Sequence, residues 1–114
     1  SRTVYRITQA GRDEFKRLLR QTWSEVERPY YAIDVAIAFM GSLPKEEVIP
    51  LLRGRVSRLK GVLGYLDMHQ TEQMGRAEVP ASAAQIFAHT RDHYVAELAW
   101  TEDLLRKVES GELP

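Results

Sequence analysis

The run Lys45–Met68, KEEVIPLLRGRVSRLKGVLGYLDM, decides the fold. Its apolar residues Val48, Leu52, Val56, Leu59, Leu63 and Leu66 recur every three or four positions. That is the period of one helical face, and it is close to a heptad seam. Arg53, Arg58, Lys60 and Asp67 fall on the opposite side and read as the solvent face. A helix of this length cannot hide its stripe alone, so another long helix must lie beside it, in this chain or in a second copy. Gly54, Gly61 and Gly64 each cost roughly 1 kcal/mol against alanine in a helix interior. Close approach of another backbone is the use they imply.

Downstream, the polar stretch Gln70–Val79 contains Gly75 and reads as a turn. Pro80 opens a last helix that runs to Lys107 or Glu109. Its seam is Phe87, Tyr94, Leu98, Thr101, Leu105 and Val108, flanked by a second row of Ile86, His93, Trp100 and Leu104. An apolar side this broad implies contact with two neighbours.

Upstream, Gly41-Ser42-Leu43-Pro44 is a compact connection, and Ser42 or Pro44 sets the start of the long helix, with Glu46 and Glu47 in its first turn. Before it, Tyr30–Met40 has almost no polar side; Ile33, Val35, Ala36, Ile37, Ala38, Phe39 and Met40 fill it. A helix apolar all round is buried all round, and a domain this small has difficulty surrounding one with its own residues. Asp34 is the exception and sits in the first turn, where free amides stabilise a carboxylate. Earlier still, Thr8 is placed to cap a helix whose apolar positions are Phe15, Leu18, Leu19, Thr22, Trp23 and Val26. Gly11 at the third helical position rules out a capping box, and Pro29 stops this helix or starts the next. The opening Thr3-Val4-Tyr5-Arg6-Ile7 alternates and is β-prone. A lone strand is not stable in water, so it reads as a domain edge cut off from its sheet, or else as a disordered leader.

Composition bounds the function. The chain has 114 residues, 44% hydrophobic and 28% charged, with a formal net charge of zero. Neutrality argues against the whole chain being a nucleic-acid binder. The first twenty residues are nevertheless basic: Arg2, Arg6, Arg12, Lys16, Arg17 and Arg20 outnumber Asp13 and Glu14. With no cysteine there is no disulfide scaffold, thiolate nucleophile or sulfur-ligated zinc, which fits a cytoplasmic protein. No apolar run reaches transmembrane length, so no membrane partner is expected.

Little here carries catalysis. His89 and His93 stand four apart and can share a metal on one helical face, but a lasting site needs a third ligand. Thr90 replaces the glutamate of the zinc-protease pattern. The reading is therefore no metal, no cofactor and no catalytic residue. Serines lie in no nucleophile elbow, no glycine-rich phosphate loop is present, and no carboxylate pair stands out for acid–base work. The aromatics Trp23, Tyr30, Tyr65, Tyr94 and Trp100 are candidates to line a cavity between bundle helices, the usual place for a small-molecule site. Plain core packing is the competing reading.

Val4-Tyr5-Arg6-Ile7-Thr8-Gln9-Ala10-Gly11-Arg12-Asp13-Glu14-Phe15 resembles a segment of the PadR family of bacterial transcriptional regulators. There it forms the last wing strand of a winged helix-turn-helix and the entry to the next helix; Tyr5, Thr8 and Gly11 match. The later pattern also resembles that family's larger C-terminal domain: a short apolar helix, Leu43-Pro44-Lys45-Glu46-Glu47, then two long helices, the second carrying Tyr94, Glu97, Trp100, Leu104 and Leu105. The resemblance implies a remnant wing strand in residues 1–8 and a helical dimerisation and effector-sensing domain in residues 9–114. The expected fold is all-α, two long helices and two shorter ones after that strand. It further implies a repressor homodimer whose DNA-reading domains lie outside this chain, with Arg2 and Arg6 near the DNA backbone in the intact protein, and a small aromatic effector. Apolar surface left over from one copy points to Phe15, Leu19, Ile33, Ile37, Phe39, Met40, Leu98 and Leu105 as the dimerisation set. The alternative is a helical homo-oligomerisation or adaptor module with no DNA or ligand role.

Overall fold

The computed structural model describes residues 3–76 and 79–113. The elements are helical: α1 (Gln9–Ser24), α2 (Ile33–Ala38), a 3₁₀ turn at Met40–Ser42, α3 (Lys45–Met74) and α4 (Ser82–Ser110). The chain divides into two compact units, Ser1–Val35 and Ala36–Pro114, with the boundary inside α2.

The wing strand is corrected. Thr3–Ile7 forms no ladder, and no strand occurs among the described residues. An alternating pattern is only an offer to pair, and these residues offer no second strand to accept it. The capping reading holds in detail. The Gly11 amide donates to Thr8 Oγ1 at 3.0 Å, and the Arg12 amide bonds the Thr8 carbonyl at 2.9 Å. A Cβ at Gly11 would lie 2.9 Å from Ile7 Cγ1 and 3.3 Å from Thr8 Oγ1. Glycine thus lets Ile7 fold against the first turn of the helix that Thr8 caps.

The second unit is a helical hairpin. Lys45 reaches Glu109, Arg55 reaches Thr101 and Glu97, and Asp67 reaches Arg91. Each step forward along α3 is a step back along α4, so the two run antiparallel. The stripe of α3 faces inward as its spacing dictates: Leu52 and Leu59 are buried, while Val48, Val56, Leu63 and Leu66 are half-buried. On α4, Thr101, Leu104 and Val108 are buried. Leu104 therefore belongs to the core, whereas its row-mates Ile86, His93 and Trp100 stay exposed.

The core sits at the end of the hairpin away from its turn. Leu52, Leu104 and Val108 form it, with Ile37, Met40, Val48, Ile49, Leu105 and Leu113 packed around them. Beyond Leu59 on α3 and before Thr101 on α4, no described residue is buried. Two helices alone can cover only one side of each seam, and toward the turn no other described helix of this unit covers the rest.

Several boundaries differ from the sequence reading. α3 continues through Met74, into the stretch expected to turn, and α4 begins at Ser82 rather than Pro80. Pro50 lies inside α3. It removes the amide that would have met the Glu46 carbonyl, but both residues are exposed, so water can satisfy that carbonyl. Among the described residues of their unit, no other backbone approaches the α3 glycines: a Cβ at Gly61 or Gly64 meets nothing within 4 Å, and at Gly54 only Arg58 Nη2 at 3.6 Å. Tyr30–Met40 is not buried all round either. Only Ile33–Ala38 is α-helical, and Tyr30, Val35 and Phe39 remain 80%, 46% and 67% exposed. Its Ile37 and Met40 side is what the hairpin core takes up.

Candidate functional site

α1 is amphipathic and buries none of its residues. A polar ladder runs along one side. Gln9 donates to Asp13, Arg17 is paired with Glu14 at 2.6 Å and donates to Gln21, and Gln21 donates to Glu25. These are the i,i+3 and i,i+4 contacts that steady a helix in water. The other side carries Phe15, Leu18, Leu19 and Trp23, and Val26 follows one residue beyond the helix cap. Trp23 and Val26 are almost fully exposed, and Phe15 is more than half exposed. The local sequence thus makes a finished helix whose apolar face has no cover among the described residues of its own unit.

The expected dimerisation residues fall into two sets. Ile37, Met40 and Leu105 are committed to the hairpin core. Phe15, Leu19 and Phe39 are exposed, while Ile33 and Leu98 are half-buried. The candidate pocket aromatics also divide. Trp23 and Tyr30 belong to the first unit, and Tyr65, Tyr94 and Trp100 to the second. Tyr65 is 59% and Trp100 39% exposed; Tyr94 is half-buried. Two ring contacts in the hairpin instead run through a residue outside the pocket candidates. His69 stacks on Tyr65 at 5.6 Å and meets Phe87 across the hairpin at 5.7 Å. Aromatic residues at matching depths on two antiparallel seams are the signal that could have found it. Of the two arginines expected near DNA, Arg6 is exposed, and Arg2 lies outside the described residues.

Polar groups fix the register of the hairpin. Arg55 Nη2 donates to Glu97 Oε1 at 2.7 Å, and Arg55 Nε lies 3.4 Å from Thr101 Oγ1. The fully buried Thr101 hydroxyl donates to the Glu97 carbonyl at 2.7 Å. Nearer the turn, Arg91 Nε donates to Asp67 Oδ1 at 2.6 Å. That bond holds the Asp67 carboxyl below the ordinary aspartate range and raises Arg91. Glu14 is lowered by its bond to Arg17, and Asp103 by its bond to Lys107. Every one of these shifts favours the charged form already present at neutral pH. None poises a group for proton transfer.

Among the described residues no cluster of three or more metal-ligating side chains occurs, and no helix is long and apolar enough to cross a membrane. No protein-family model, curated protein or solved structure matches the chain.

Proposed function

We propose that this chain is the dimerisation and effector-sensing part of a PadR-like transcriptional repressor. The observation that carries the reading is the uncovered apolar face of α1, which follows directly on the Tyr5–Thr8–Gly11 motif. A contiguous apolar face on an otherwise well-formed helix marks an interaction surface. A second copy covers it most economically, because a twofold interface buries the same patch on both protomers at once. The half-covered seams of α3 and α4 toward their turn call for the same kind of partner. In an intact regulator such a helical dimer sets the spacing of two DNA readers, which must meet major grooves about one turn apart. An effector between helices would act by changing that spacing. The exposed rings of Trp23, Tyr65 and Trp100 favour an apolar, aromatic molecule.

Light scattering after size exclusion, at micromolar concentration, tests the assembly. The expected mass is twice the 13.1 kDa of one chain. A well-folded monomer removes the basis of the proposal. Labelled promoter DNA titrated at about 0.15 M salt tests the division of labour, since base readout requires an element in a groove. The chain alone should show no sequence-dependent binding.

A further inference from the structure

We propose that His89 and His93 form a two-histidine chelate for a late first-row divalent ion, Cu(II) or Ni(II), on the exposed side of α4. Spacing alone places two histidines one turn apart on one face, but it leaves the rings free to diverge. Here they converge: the two Nε2 atoms lie 3.1 Å apart, with the rings edge to face at 4.6 Å between centroids. A contact this short between imidazole nitrogens needs one N–H donor and one lone-pair acceptor. A metal ion takes the place of that shared proton, accepting a lone pair from each Nε2.

The bite admits a single ion. With metal–nitrogen bonds of about 2.0–2.1 Å, the 3.1 Å separation subtends about 95–102° at the metal. That lies between the right angle of tetragonal Cu(II) or Ni(II) sites and the tetrahedral angle of zinc, so the choice of ion rests on intrinsic affinity. Imidazole suits these ions, and intrinsic affinity peaks at copper.

The surroundings permit a cation. Arg91, the nearest fixed positive charge in sequence, is tied to Asp67, and Asp92 adds an exposed carboxylate beside the pair. His69 is engaged with Tyr65 and Phe87 instead. With no third side-chain ligand gathered among the described residues, water completes the coordination and the ion exchanges freely. The consequence is local. The chelate staples one turn of α4 in the part of the hairpin where no described side chain is buried, so binding stabilises that part by mass action.

The test uses the full 114-residue chain without an affinity tag. CuSO4, NiCl2 and ZnCl2 are titrated calorimetrically in a non-chelating buffer. The expected result is one ion per chain, affinity in the order Cu(II), Ni(II), Zn(II), and a rise in Tm with Cu(II). His89→Gln and His93→Gln should each lose at least about tenfold in Cu(II) affinity, by the loss of one of two ligands, while His69→Gln keeps it. Far-UV circular dichroism confirms that the variants are folded. Electron paramagnetic resonance of the wild-type Cu(II) complex should show two equivalent imidazole nitrogens, a readout that needs no variant. No saturable uptake, a single imidazole nitrogen, wild-type affinity in either glutamine variant, or zinc binding tighter than nickel overturns the proposal.

Discussion

Phe15→Ser removes the largest side chain from the middle of the α1 stripe. Phenylalanine and serine have nearly equal helix propensity, so the helix itself should survive. None of α1's residues is buried within the chain, so the folded protomer has little to lose. The proposed dimer has much to lose. A phenylalanine offers about 200 Å² of side-chain surface. Phe15 is 57% exposed, which leaves about 115 Å² to be covered by a partner, worth about 3 kcal/mol at 25 cal/mol per Å². Twofold symmetry counts the residue twice. Full coverage therefore puts about 6 kcal/mol at stake, and half coverage about 3 kcal/mol, at least a hundredfold rise in Kd. Sedimentation velocity over a concentration series measures this directly, and far-UV circular dichroism of the same samples checks the helix. An unchanged Kd with intact helicity refutes the role of α1. A monomeric wild type refutes more, because it removes the dimer itself.

Three further outcomes test the hairpin. Leu104→Ala empties part of the small core formed with Leu52 and Val108; it should cost about 2–5 kcal/mol in urea unfolding followed by circular dichroism. Gly111 caps α4 at φ 82° with nothing within 4 Å of a built Cβ, so Gly111→Ala should destabilise by about 1–2 kcal/mol through backbone strain alone, read as a lower Tm. Asp67 has a depressed folded pKa because Arg91 donates to it, so its contribution is fully present above the unfolded aspartate value and is lost as pH falls through the folded value. Carboxyl-carbon NMR should place its midpoint below the ordinary aspartate range, and Arg91→Met should return it upward.

The hairpin was readable because its information is local and periodic. Val48, Leu52, Val56, Leu59, Leu63 and Leu66 all face inward, as spacings of three and four require. Thr8 capped where a threonine should. Failures came where the outcome depends on a partner. Thr3–Ile7 carries a strand pattern, but a ladder needs a second strand. The α3 glycines suit a close backbone neighbour, yet none approaches them among the described residues of their unit. The end of α3 was misplaced because Gln70–Met74 is polar enough to read as loop, although Gln73 and Met74 are half-buried in the helix. At the candidate site the exposed stripe of α1 follows from period alone. The contacts Arg55–Glu97, Tyr65–His69–Phe87 and His89–His93 depend on hairpin register and rotamers, which no one-dimensional pattern specifies.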